Sequence, residues 1–221
     1  MTHLDTELKQ LKADILEMWN IVLTQLYKAR ESILRFDKDL VSDITANEKR
    51  VDAFELKLNM DCENILALFN PLANDLRFVL AVLKITYNLE RIGDYAHGIS
   101  KLVQETDSPF NDDSLEVTKI VPMFHIAMEM LQDAYESFEQ EDNIKVRSIF
   151  NKDLKLDHVN KNANSIISEL IKAKPEETVK NLNLLSIIRK LERVGDQTKN
   201  IAEEIIFYME AKIVKHKKKK N

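Results

Sequence analysis

The strongest constraint in this chain is a seam of apolar side chains that occurs twice. Stepping by fours and threes from Phe78 meets Val82, Ile85, Leu89, Ile92, Ala96, Ile99 and Val103, the spacing of a helix that packs in a bundle. The same steps taken 102 positions later meet Lys180, Leu184, Ile187, Leu191, Val194, Thr198, Ile201 and Ile205, and only Lys180 and Thr198 depart from apolar. Inside both seams lies one string, Leu-Glu-Arg-apolar-Gly-Asp, at Leu89 to Asp94 and at Leu191 to Asp196. A repeat of close to half of the 221 residues predicts two units of one plan.

Turn chemistry is scarce. The chain has three glycines and four prolines, well below the ordinary usage of about 7% and about 5%. A many-stranded sheet needs more turn formers than that, whereas a few long helices do not. The seams and the composition together predict an all-α fold of two tandem three-helix bundles related by internal duplication. Residues 1–107 are expected to form the first unit, 108–214 the second and 215–221 a basic, disordered tail.

Apolar spacing sets the expected helices. A first runs from Leu4 to about Arg35 and a second from about Asp39 to Phe69, stopped by Asn70-Pro71 because the residue before proline leaves the helical region. The seam helix runs from Pro71 or Leu72 to about Glu105. Thr106 to Ser114 is dense in turn formers and marks the boundary. In the second unit helices are expected from Leu115 to Glu139, with a kink or restart at Pro122, from Asn143 to Lys172, and from Glu176 to Val214.

Net charge is −5, with 32 basic against 37 acidic residues, so the broad basic surface that tracks nucleic acid is missing and no nucleic-acid partner is expected. A single cysteine, Cys62, excludes an internal disulfide framework and a zinc site built from several thiolates. It shares an apolar face with Leu58 and Ile65 and reads as packing. The N-terminus lacks a basic-then-apolar leader, and no run of about 18 apolar residues could span a bilayer. A cytoplasmic protein is expected.

The polar content of the motif is acidic. Glu90 and Asp94 stand four apart, about one turn along a single helix face, as do Glu192 and Asp196. The preceding helices repeat the spacing with Glu48 and Asp52 and, 105 positions later, Asp153 and Asp157. If the helices of each unit are antiparallel neighbours, four carboxylates converge in each. Like charges so close need a neutraliser. A multivalent cation is one, and oxygen donors with little histidine favour Mg²⁺, Mn²⁺, Ca²⁺ or iron. Nearby bases, Arg50, Arg91, Lys155 and Arg193, are the other. Gly93 and Gly195 sit mid-helix at equivalent places, where glycine costs about 1 kcal/mol against alanine, and with Gly98 they are expected beside the carboxylates. Asp94 and His97 have the spacing of a ligand pair in di-iron bundles, but the residue equivalent to His97 is Lys199.

These residues resemble the PhoU family. The resemblance rests on the duplicated Leu-Glu-Arg-Ile/Val-Gly-Asp, on Asn200-Ile201-Ala202-Glu203, on Pro71-x-Ala73-x-Asp75-Leu76-Arg77 and on the paired acids, and it extends from about Leu8 to Val214. It implies metal sites at Glu48, Asp52, Glu90 and Asp94 and at Asp153, Asp157, Glu192 and Asp196, holding divalent or trivalent ions such as iron, Mn or Mg. It also implies a non-enzymatic, negatively regulating adaptor of the phosphate-starvation response. Its partners would be the ATPase subunit of the Pst phosphate transporter, a PhoR-type sensor histidine kinase and a second copy of the chain, at the inner face of the membrane. A carboxylate-bridged metalloenzyme and a metal-free helical scaffold are the alternatives that the same acids leave open. The chain departs from the family pattern where Tyr95 and Gln197 stand in place of a histidine after the motif aspartate, and where Gly98 answers to Asn200.

Overall fold

The computed structural model describes residues 2–212, and these are helical with no strand. Seven α-helices follow one another: α1 His3–Arg35, α2 Asp39–Phe69, α3 Ala73–Glu105, α4 Asp112–Thr118, α5 Ile120–Gln140, α6 Asn143–Ala173 and α7 Thr178–Glu210. A 3-10 turn, Pro175–Glu177, leads into α7. Side-chain oxygens set several starts. Thr2 and Asp5 form a reciprocal capping box on α1, with Thr2 N donating to Asp5 Oδ2 at 2.7 Å and Asp5 N to Thr2 Oγ1 at 3.1 Å. Asn111 caps α4 and Asp142 caps α6 by accepting from first-turn amides.

One expected helix is two. The stretch from Leu115 to Glu139 breaks at Lys119, a left-handed residue with φ 59°, which ends α4 and begins α5. Pro122 does not cause the break. It lies in the first turn of α5, where an amide has no intrahelical acceptor in any case, so its missing N–H costs nothing there. The basic tail and the last residues expected of α7 lie outside the described residues.

The seams became the core. Phe78, Val82, Ile85, Leu89, Ile92, Ala96, Ile99 and Val103 on α3 are all buried, as are Leu184, Ile187, Leu191, Val194, Thr198, Ile201 and Ile205 on α7. Helix α3 packs against α7 and α1 against α5, so four helices form the middle of the molecule, with α2 flanking the first unit and α6 the second. As α3 advances from Lys84 to Asn88 to Gly98, its contacts on α7 retreat from Glu204 to Asn200 to Lys190. The pair is therefore antiparallel, and Gly93 and Gly195 face each other's level at its midpoint. A single apolar cluster runs through both units. Trp19 of α1 donates from Nε1 to the Leu131 carbonyl of α5 at 3.2 Å, and where α3, α5 and α7 meet Phe78 stacks on Phe138 while Tyr208 turns its ring edge-on to Phe78. No helix among the described residues is long and apolar enough to cross a membrane.

Candidate functional site

The eight expected acids lie along the α2/α3 groove and the α6/α7 groove. In the first unit the helical spacing turns Leu89 and Ile92 into the core and leaves Glu90 and Asp94 toward α2, which supplies Glu48 and Asp52. Glu48 is buried, Glu90 half-buried, and Asp52 and Asp94 are exposed. Burial is the main cause that lifts the Glu48 carboxyl to about 8, against a hydrogen bond from Gln25 that lowers it; Asp94, close enough to share a proton, raises it further, as does Asp52. Burial first, then Asp94 and Glu55, lift Glu90 to about 7. The four acids therefore feel one another, and a neutral-pH proton stands in for a counter-charge.

Six carboxylates are buried among the described residues, and five of them contact a lysine or arginine. Asp14 pairs with Lys57, Glu31 with Arg30 and Arg35, Asp133 with Lys152, Asp153 with Lys199 and Glu204 with Lys84. Glu48 is the sixth. Its neighbour is an amide: Gln25 Nε2 of α1 donates to Glu48 Oε2 at 2.7 Å. Gln25 is wholly buried, yet its Oε1 has no partner. A Cβ built on Gly93 would stand 3.0 Å from that oxygen and 3.3 Å from Glu48 Oε2, so the glycine makes room for a polar cradle of α1 and α2 atoms against α3. An unpaired buried acid, an orphaned amide oxygen and movable carboxylates at the rim are the donor chemistry of a hard cation. As the side chains stand, no three or more His, Cys, Asp or Glu among the described residues form a group that could hold a metal ion, so ligation at Glu48 requires the exposed acids to turn inward.

The second unit repeats the acids with a different balance. Asp153 is buried, Glu192 and Asp196 are half-buried and Asp157 is exposed. Lys199, one turn past the motif, donates from Nζ to Asp153 Oδ2 at 2.6 Å and to Asp196 Oδ1 at 2.7 Å. Burial still raises Asp153 above its ordinary value, opposed by Lys199. Glu192 is raised by burial and by Asp196. Its two carboxylates push the Lys199 ammonium well above the usual lysine value despite burial.

Several neighbours differ from expectation. None of the four bases named from the sequence forms an ion pair with these acids: Arg50 reaches Glu17 at 3.6 Å, and Arg91 donates to the Tyr95 hydroxyl at 3.0 Å. The base that does is Lys199, and the first unit's extra polar group is Gln25; neither belongs to the motif, and Gln25 comes from a helix that the acid spacing does not mention. His97, half-buried, has Nε2 at 3.2 Å from Thr45 Oγ1, and burial, then Lys101, lowers its pKa against the pull of Asp94 and Asp52, which disfavours its charged form. Gly98 is not beside the carboxylates. Its missing Cβ admits Lys190 of α7, whose Nζ lies 2.7 Å from where that Cβ would be. Cys62 is buried and packs, as expected, and burial lifts its thiol to about 12.

Comparison with known proteins follows the same division. The domain model described as the PhoU domain matches residues 15–103 and again 120–205. A Burkholderia protein named phosphate-specific transport system accessory protein PhoU homolog is 28% identical over 219 residues, covering 97% of this chain and 92% of its own. One of the same name from Zymomonas mobilis is 30% identical over 204 residues, 92% of this chain and 85% of its own. The crystal structure of PhoU from Pseudomonas aeruginosa superposes with a TM-score of 0.86 at 25% identity, over 94% of this chain and 99% of that one. That of the phosphate transport system regulatory protein PhoU from Streptococcus pneumoniae gives 0.82 at 26% identity, over 96% and 99%.

Proposed function

This chain belongs to the PhoU family, and on that premise we propose that it is a non-enzymatic accessory protein of a phosphate-specific transport system that restrains the phosphate-starvation response. The observation that carries the reading is the double match, which takes in both motif copies and the whole of both seams, together with relatives of that name that align along 85% or more of their length. The finer reading names the partners: the ATPase subunit of a Pst-type transporter on one side and a PhoR-type sensor kinase on the other, reached from the cytoplasmic face of the membrane. Two bundles sharing one core suit an adaptor, because common burial ties a face presented by one unit to a face presented by the other.

The cation belongs to the same proposal. Glu48, Asp52, Glu90 and Asp94, with Gln25 Oε1 beside them, would hold an ion such as Mn²⁺, Mg²⁺ or iron. Bound there, it supplies the positive charge that this cluster lacks. Glu48 and Gln25 fix the inner wall, half-buried Glu90 stands beside them, and the exposed Asp52 and Asp94 at the rim would turn in to close on the ion.

Deletion of the chain's gene in its host, read with a reporter of a phosphate-starvation promoter, is the direct test. Expression at high phosphate should rise when the chain is missing and return when it is restored. A reporter that stays repressed without the protein would sink the regulatory reading.

A further inference from the structure

The two acid clusters share a plan and are balanced in two ways. We propose that Lys199 is the resident cation of the second cluster, so that only the first cluster, around Glu48, takes up a metal ion. The proposal rests on reading the first cluster as a cation site, and it departs from the metal site in each unit that the family resemblance implies.

Geometry carries it. Lys199 Nζ touches Asp153 of α6 at 2.6 Å and Asp196 of α7 at 2.7 Å. One ammonium thus joins neighbouring helices through two charge-assisted hydrogen bonds, which neutralises and ties the carboxylates as a bridging ion would. A divalent ion at the same place must displace that ammonium and then sit one turn from its charge. In the first unit the equivalent residue is His97, engaged with Thr45 at 3.2 Å.

The glycines show the same divergence. The space beside Gly195 is filled by Leu156, whose Cδ1 lies 2.6 Å from where a Cβ would stand. The residue equivalent to Leu156 is the smaller Val51, with Cγ1 3.5 Å from the matching point on Gly93, and there the nearest atom is Gln25 Oε1 at 3.0 Å. At the glycine, the first cradle therefore offers an unpartnered amide oxygen and the second a methyl group. Asp153 Oδ1 also lacks a hydrogen-bond partner and lies 3.3 Å from the Gly195 point, as Glu48 Oε2 does from the Gly93 point, so what separates the two cradles is Leu156 in place of the amide and the Lys199 ammonium on Asp153 Oδ2.

The test is Mn²⁺ uptake by the full chain after treatment with a chelator, counted by mass spectrometry of bound metal. Uptake by the wild type should be abolished in Glu48→Gln and unchanged in Asp153→Asn. Lys199→Met should gain a second uptake that vanishes when Asp153→Asn is added. Loss of wild-type uptake in Asp153→Asn overturns the proposal, and so does a folded Lys199→Met that gains none. Should Lys199→Met not fold, Lys199→His, which copies the first unit's residue, takes its place. If the wild type binds no Mn²⁺ and Lys199→Met does, the reading of the first cluster falls while the proposal for the second stands.

Discussion

At the scale of single residues, Glu48 stands apart because burial has not been matched by a base. Its folded pKa, about 8, lies above the ordinary value of 4.5, so the folded state binds more protons than the unfolded one between those values. The stability contributed by the protonated form is complete below about pH 4.5 and is lost as pH rises through 8; Glu90, at about 7, acts with the same sign. Chelator-treated protein should therefore show a falling urea midpoint from pH 5 to pH 8.5, Glu48→Gln should flatten that slope, and Mn²⁺ should restore the wild type at the alkaline end. A midpoint that does not move with pH in metal-free wild type would contradict the balance described for this cluster. The three glycines give a second check, because alanine gains about 1 kcal/mol of helix propensity at each and meets a different neighbour. Gly98→Ala needs only the tip of Lys190 to move and should be neutral or stabilising by up to about 1 kcal/mol. Gly195→Ala drives into buried Leu156 and should cost about 1–3 kcal/mol, with Gly93→Ala between them. Thermal melts of the three variants rank them. That the acids of neighbouring helices would come close was legible, since their four-residue spacing recurs at matching places in both units. Gln25 was not, nor was the reach of Lys199 to Asp153, because both depend on which helix lies across.

At the scale of helices, the apolar period located α1, α2, α3 and α6 to within a few residues, and α2 from Asp39 to Phe69 at both ends. It failed at Lys119, where the hydrophobic pattern continues through a break that is made by backbone conformation alone. The chain's glycines are used inside helices, so its left-handed helix ends fall to Phe36, Asn70, Lys119, Glu141 and Ala211. A side chain in that region costs about 1 kcal/mol or more, which glycine avoids. Lys119→Gly should accordingly raise stability by about 0.5–1 kcal/mol, offset in part by a floppier unfolded chain, and chemical denaturation measures it. An unchanged or lower midpoint would mean that the bend between α4 and α5 is held by packing around Ile120 and not limited by backbone strain.

At the scale of the whole molecule, two units were legible as a repeat, but their mutual packing was not. The sequence separates residues 1–107 from 108–214 at a turn-rich boundary; the side chains ignore it, and one core passes from Trp19 and Phe78 through Phe138 to the far unit. Shared apolar burial couples the halves, so the metal-free chain should unfold in one calorimetric transition with matching calorimetric and van't Hoff enthalpies. Two resolved transitions would show that the units hold independently. The contact between α3 and α7 also has a direction. Asn200 donates to Asn88 at 3.4 Å on one side of the midpoint, and on the other Lys190 enters the space left by Gly98. Exchange the partners and the fit is lost: two copies of the first half would set Asn88 opposite Gly98 twice, leaving a gap and an idle carboxamide at each place. Two copies of the second would press Lys190 on Asn200 twice and bring a pair of ammonium groups into the joint. Each half has become a glove for the other hand, and neither any longer fits its own twin.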